Sequence, residues 1–165
     1  MTIEVREARP EEHAEAGEVT ALAYREFTRP DAGWEEYLAR VTDVAGRAER
    51  TTILIAVEDG AVLGSLTLEL DGRVADHDGE HLEPGEAHVR MLGVHPDARR
   101  RGIARMLMDD AIRRASERGK TWITLNTTER MTAAQAMYES LGFERAPDRV
   151  LPDGFVLLSY EKCFA

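Results

Sequence analysis

Val89-Arg-Met-Leu-Gly-Val94-His-Pro96-Asp-Ala-Arg99-Arg-Arg-Gly102-Ile-Ala104-Arg-Met-Leu107 is the stretch on which the fold turns. Its first part reads as the end of a strand running from Glu86 to Val94, and its last part opens a helix over about residues 103 to 118. A chain that leaves a strand, turns sharply and enters a helix points several unpaired backbone N–H groups at one spot. The helix N-terminus adds partial positive charge there. Gly102 removes a side chain where a ligand must approach the backbone closely, and Ala104 keeps the next contact small. Arg99, Arg100, Arg101 and Arg105 can supplement these donors with charge. That combination is the physical specification of a pyrophosphate site, without naming the pyrophosphate.

Reading outward, Ile103, Leu107 and Ala111, with Met108, Ile112 and Ala115, give the helix a wide apolar stripe, and Gly119 closes it. Thr121 to Leu125 reads as the next strand, so residues 86–125 predict a right-handed parallel crossover. Upstream, Thr52–Val57 and Ala61–Leu70 read as strands joined by Glu58-Asp59-Gly60, a strong hairpin signal. Between them and the crossover lies a polar loop, 71–85, containing Asp71, Asp76, Asp78, Glu80 and Glu83. Ile3 and Val5 suggest a short first strand. Pro10 opens a helical stretch with Ala14, Val19, Leu22, Ala23 and Phe27 at helical spacing. A second helix is expected to start at Asp31, with Trp34, Tyr37, Leu38 and Val41 on one face. Downstream, a helix over Thr132–Leu141 stops at Gly142. Strands near Phe143–Arg149 and Phe155–Lys162 follow, joined by Pro152-Asp153-Gly154. The expected fold is a mixed, largely antiparallel α/β sheet with one parallel strand–helix–strand crossover and helices on both faces, in a single domain over residues 1–165.

Net charge is −10, which argues against nucleic acid as a partner. Between Asp97 and Lys120, however, eight Lys or Arg face four acids, so a locally positive seat stands inside an acidic chain. No apolar run is long enough to span a bilayer, and Met1 to Glu7 do not resemble a signal peptide. The single Cys163 cannot form an internal disulfide, which fits a reducing, cytoplasmic setting without a membrane partner. Rival nucleotide motifs fail: Gly119-Lys120-Thr121 lacks the earlier glycine and lies between a helix and a strand, and no G-x-G-x-x-G follows a strand. Asp76 and Asp78 lack the further ligands of a calcium loop, so no metal is expected.

The stretch from Val89 to Leu107 resembles the coenzyme-A motif of the GCN5-related N-acetyltransferase (GNAT) family: Arg or Gln, two residues, Gly, one residue, then Gly or Ala, after a strand ending in Val-x-Pro. Downstream, Ala134-Gln-Ala-Met-Tyr138-Glu-Ser-Leu-Gly142-Phe143 resembles the family's second motif. The resemblance implies acetyl-CoA as donor and direct transfer of its acetyl group, in a ternary complex, to a primary amine of a small molecule or peptide. It implies that backbone groups of Leu92, Gly93 and Val94 hold the pantetheine arm and thioester. Backbone N–H groups across Arg100, Arg101, Gly102, Ile103, Ala104 and Arg105 would cradle the pyrophosphate, with the Arg99 side chain nearby. Tyr138 becomes the general acid toward the departing thiolate.

Two positions depart from the family pattern. Where the family often has Asn, seven residues before the tyrosine, this chain has Met131, and Asn126 is the nearby amide that compensates or faces the acceptor. Where many members have a basic Glu, six residues before the strand-ending Val, this chain has His88. An alkyl ammonium with a pKa around 10 must lose a proton before it can attack, and His88, the neighbouring Glu86, or water can take it. By alternation Glu86, His88 and Arg90 share a strand face, making Arg90 a candidate acceptor contact beside Arg29, Trp34, Tyr24 and Asn126. The competing function is a module that senses acyl-CoA without turnover. Homodimers are frequent in the family.

Overall fold

A computed structural model of the chain describes residues 2–27, 33–72, 81–152 and 154–164. In chain order the elements are β1 (Glu4–Glu7), α1 (His13–Tyr24), α2 (Trp34–Thr42), α3 (Val44–Ala48), β2 (Thr52–Glu58), β3 (Ala61–Glu69), β4 (Glu86–Val94), α4 (Ile103–Glu117), β5 (Trp122–Thr127), α5 (Thr132–Ser140), β6 (Glu144–Val150) and β7 (Val156–Cys163). The strands form one sheet in the order β1-β2-β3-β4-β5-β7-β6. Every neighbouring pair is antiparallel except β4–β5, which is parallel and connected through α4. The mixed sheet and its one parallel crossover are therefore as the sequence predicts. Among the described residues, no helix is long and apolar enough to cross a membrane.

Alternation along β2 sorts the core into two layers. Leu54 and Ala56 join Leu66, Leu68, Leu107, Met108, Ile123 and Leu125 under α4, all buried. Ile53, Ile55 and Val57 point the other way and join Ala16 and Val19 of α1 and Val44 of α3. Each large apolar side chain moved from water into either layer contributes about 1.5–3 kcal/mol. Helix ends follow the glycines: Gly119 takes φ 80° and Gly142 φ 91°, and the next residue donates back to a carbonyl of the last turn (Lys120 N to Ala115 O, 3.0 Å; Phe143 N to Tyr138 O, 3.0 Å).

Three local expectations change. Pro10 starts a 3₁₀ turn, Pro10–Glu12, rather than the α-helix itself, which begins at His13. Ala14 is exposed and Leu22 only half-buried, because α1 buries a band through Ala16, Gly17, Val19, Thr20, Ala21 and Ala23 instead. The short α3 was not expected; Asp43 caps it by accepting from Gly46 N at 3.1 Å. The proposed start at Asp31 lies outside the described residues, but Trp34, Tyr37, Leu38 and Val41 do share the inward face of α2.

The parallel pair is the feature that shapes the site. β4 and β5 pair only from Glu86↔Trp122 to Val89↔Leu125, although β4 continues to Val94 and β5 to Thr127. On its other edge β4 carries an extra residue: Ser65 faces Gly93 while Thr67 faces Arg90, so three steps on β4 match two on β3. Met91, inside that bulge, takes φ 52°. A bulge bends and twists its strand, and here it separates β4 from β5 beyond Val89.

α1 and α2 roof one side of this opening and must pack closely to do so. A methyl group added at Gly17 would place its carbon 3.0 Å from Thr42 Cα and closer still to the Thr42 carbonyl. Gly17→Ala is expected to lower stability by about 2 kcal/mol, a fall of roughly 4–8 °C in Tm. Thermal unfolding followed by circular dichroism checks this.

Candidate functional site

Where β4 ends, a 3₁₀ turn, Pro96–Ala98, leads through Arg99–Gly102 into α4. Arg100 has φ 64° and Gly102 φ 76°, so this short segment twice visits a conformation that L side chains resist. Gly102 is the α4 N-cap. It offers no side chain to cap the helix, and no acid stands in the first turn. Among the described residues, and its chain neighbours and own helix backbone aside, nothing lies within 4 Å of where a Gly102 Cβ would be. The first turn of α4 thus presents N–H groups that no side chain among the described residues caps, beside open space, which is the arrangement that binds an anion.

Three of the arginine side chains have partners within the protein. Arg99 pairs with Glu26, Arg101 grips Glu58 with bonds of 3.1 and 2.6 Å, and Arg105 donates to Ser140 Oγ at 2.9 Å. Their side chains tie the turn to the segment after α1, to the end of β2 and to α5. The hydrogen bond from Arg101 holds the Glu58 carboxyl below its ordinary range. Arg100 is exposed and has no such partner among the described residues. Leu92 and Val94 pack toward the α4 layer, Ile103 is buried and Ala104 half-buried, so these contribute main chain rather than side chain to the opening. Gly93 lets α1 approach: a Cβ there would meet Thr20 Cα at 3.1 Å.

Glu86, His88 and Arg90 do share one face, as alternation predicts, and a polar network surrounds them. His88 is buried, with Nδ1 2.7 Å from Thr124 Oγ1; Thr124 Oγ1 donates to Glu86 Oε2 at 2.6 Å. Arg90 donates to Glu69 Oε1 at 3.0 Å, and Glu69 is only 1% exposed. Arg47, also buried, donates to Val41 O at 3.0 Å and to Thr67 Oγ1 at 3.3 Å. Burial, then the neighbouring Arg90, pushes its guanidinium down to about 10. Sequence reading missed Glu69, Thr124 and Arg47. The available signal for Glu69 was an acid inside the otherwise uncharged run Ala61–Leu70.

A cavity of about 680 Å³ opens on this network, walled by Trp34, Tyr37, His88, Arg90, Met91 and Asn126 among others. Tyr24 and Tyr37 stack at 6.3 Å between ring centroids, and Trp34 tilts against Tyr37 at 5.6 Å. Burial pushes both phenols up; at Tyr24 the next contributions are Tyr37 and Tyr138. Asn126 accepts from Ser159 Oγ at 2.9 Å, and Met131, which also lines the cavity, accepts from Thr127 Oγ1 at 3.4 Å. Arg29 lies outside the described residues. Glu86 is turned to a second cavity, of about 470 Å³, which His88, Thr124 and Asn126 also line.

Tyr138 is placed apart from His88. It is buried on α5 with its ring 5.9 Å from both Phe143 and Tyr160, and it is not part of the larger cavity's wall among the described residues. Burial pushes its phenol well up.

A model of the acetyltransferase (GNAT) family matches residues 16–143. A [ribosomal protein bS18]-alanine N-acetyltransferase of Salmonella typhimurium is 36% identical over 85 residues, covering 52% of this chain and 57% of that protein. The chain therefore matches little more than half the length of this curated relative. Among solved structures, a GNAT-family acetyltransferase from Staphylococcus aureus Mu50 superposes with a TM-score of 0.75 at 18% identity, covering 98% of this chain and 99% of that one. The PaiA N-acetyltransferase of Thermoplasma acidophilum, solved with coenzyme A, gives 0.75 at 16% identity over 99% and 100%. At these identities the likeness is one of fold.

The Arg90–Glu69 pair fixes one wall of the cavity, and removing one member takes an opposite charge away from a largely buried one. Glu69→Ala is expected to lower stability by about 3 kcal/mol. Replacing both, as Glu69→Leu with Arg90→Met, should recover most of the loss. Urea unfolding midpoints of the three proteins check both halves.

Proposed function

This chain belongs to the acetyltransferase (GNAT) family, and from that premise we propose that it transfers the acetyl group of acetyl-CoA directly to a primary amine. The observation that carries the reading is continuous main chain: the β4 edge left unpaired after Val89 runs straight into the uncapped first turn of α4. An extended amide-bearing arm can pair with the first and a pyrophosphate can sit on the second. The open space over Gly102 fits that occupant, and the neighbouring side chains do not fill it. Leu92, Gly93 and Val94 would hold the arm. The backbone from Arg100 to Arg105 would hold the phosphates, with Arg100 the side chain best able to add charge. Bound there, acetyl-CoA supplies an activated acyl group as a thioester.

The chain's own groups then have three tasks. Holding amine and thioester together converts a bimolecular encounter into a local one, which contributes a large part of the acceleration. His88 removes the ammonium proton; it lines the larger cavity, whereas Glu86 faces the smaller one, so His88 is preferred as base. Tyr138 donates a hydrogen bond to the developing thiolate. Burial pushes its phenol up, so it is protonated at neutral pH, yet a thiol has an ordinary pKa of about 8.5. Complete proton transfer from this phenol to sulfur is uphill. Its role is therefore stabilisation of the leaving group rather than delivery of a free proton, a refinement of the general-acid assignment. An imidazole in the cavity wall supports turnover over mere sensing of the ligand.

For the acceptor, the wall of Trp34, Tyr37 and Met91 with Met131 favours an amine that carries an apolar or aromatic group. A peptide N-terminus is compatible with it, as the bS18-alanine activity of the curated relative suggests. The acceptor is sought by thiol release with acetyl-CoA and a panel of 2-phenylethylamine, a diamine, free amino acids and an alanine-initiated peptide. Failure across a broad amine panel, with coenzyme binding intact, would leave a sensing module as the better reading.

Two substitutions separate binding from chemistry. Gly102→Val must force a β-branched residue to φ 76° and fill the open space, so affinity for acetyl-CoA in calorimetry is expected to fall at least about tenfold. Tyr138→Phe is expected to lower kcat about 10- to 100-fold with coenzyme affinity changed less than about threefold. Unchanged turnover removes Tyr138 from the mechanism.

A further inference from the structure

The geometry points to Thr124 and Glu86 as a positioning pair that fixes His88 in its Nδ1–H tautomer, an inference that rests on the reading of His88 as the base. Thr124 on β5 is the register partner of His88 across the parallel pair, at the last-but-one paired position before the two strands separate. Its Oγ1 stands between two groups, 2.7 Å from His88 Nδ1 and 2.6 Å from Glu86 Oε2. The Ala87 carbonyl is a distant third at 3.4 Å.

A hydroxyl has one hydrogen to give. A carboxylate and a carbonyl only accept, so the hydrogen goes to one of them, and the short 2.6 Å contact has the length of an O–H···O⁻ bond. Placing it instead on Nδ1 would set the Thr124 oxygen against the Glu86 oxygen with no hydrogen between them. His88 Nδ1 must therefore be the donor to Thr124. In a neutral imidazole only one ring nitrogen carries a hydrogen, so Nε2 holds the lone pair.

The chain of bonds is anchored at its far end, where Glu83 N donates to Glu86 Oε1 at 2.9 Å. Direction therefore runs consistently from imidazole to hydroxyl to carboxylate. Nδ1 is engaged by Thr124, so base chemistry falls to Nε2. When Nε2 takes the ammonium proton, the imidazolium keeps its Nδ1–H bond to Thr124, and the Glu86 charge lies one hydroxyl away to stabilise it. This is the division of labour of a carboxylate–histidine pair with a hydroxyl interposed. Glu86 becomes a positioning residue rather than a competing base.

The tautomer can be read without any acceptor. In protein labelled with ¹⁵N-histidine, two-bond ¹⁵N–¹H correlations, assigned to His88 by loss in His88→Gln, are expected to show Nδ1 protonated at neutral pH. An Nε2–H pattern overturns the inference. The kinetic arm uses 2-phenylethylamine as acceptor. Thr124→Val fills the same volume without the hydroxyl and is expected to lower kcat on the order of 10²-fold while acetyl-CoA affinity stays within twofold. Thr124→Ser should restore most of the rate. Full turnover in the valine variant, or a serine variant as slow as valine, also overturns it. Wild-type turnover in His88→Gln would instead remove His88 as base while the spectrum still reports its tautomer, so the two failures separate.

Discussion

Everything about this site follows from where two parallel strands stop bonding to each other. β4 and β5 share a ladder for four residue pairs and then part at Val89 and Leu125, although both continue. A strand edge left without a partner is costly unless something else satisfies it, because each N–H and C=O demands a hydrogen bond. Here the cost falls where a ligand can meet it. The same separation brings the His88 face of β4 to the rim of one cavity while Thr124, on the partner strand, stays close enough to grip the ring from behind. A sheet that remained zipped to Val94 would offer neither the edge nor the rim.

The parts legible in the sequence are those that local chemistry dictates. Gly102 and the helical stripe from Ile103 announced the turn and α4. Glu58-Asp59-Gly60 announced the hairpin, and Gly119 and Gly142 announced helix ends that the structure places two residues earlier, at Glu117 and Ser140. Alternation correctly put Glu86, His88 and Arg90 on one face. What stayed illegible depends on partners distant in the chain. The bulge at Met91 arises because β4 must match β3 with one residue too many, and no local signal marks it. Glu69 stands alone as a charge in an otherwise uncharged run, and its meaning comes from Arg90, 21 positions later. The division between Tyr138, packed in the α4 layer, and His88, on the opposite face, is likewise a fact of sheet topology rather than spacing.

The arginine run also has a structural task inside the protein. Clustered charge marked residues 99–105 as an anion seat, yet Arg99, Arg101 and Arg105 spend their side chains on Glu26, Glu58 and Ser140. Exposed pairs of this kind contribute little stability individually, commonly about 0–1 kcal/mol. Their effect is geometric: three tethers to three different elements hold a segment whose φ values at Arg100 and Gly102 are both positive. In the proposed mode of binding, the attraction for a phosphate would come from the helix end that the tethers keep in place.

Met91 carries a consequence of its own. Its backbone sits at φ 52°, where a residue other than glycine, asparagine or aspartate is uncommon and strain of about 1–3 kcal/mol is usual. A glycine would relieve that strain, but Met91 also fills the space between Ala21 and Val41. The side chain is the wedge and the backbone is the hinge it holds ajar. The opening between the strands is thus held from inside by the packing of α1 and α2, and mutations in that packing can close it without touching a reacting group.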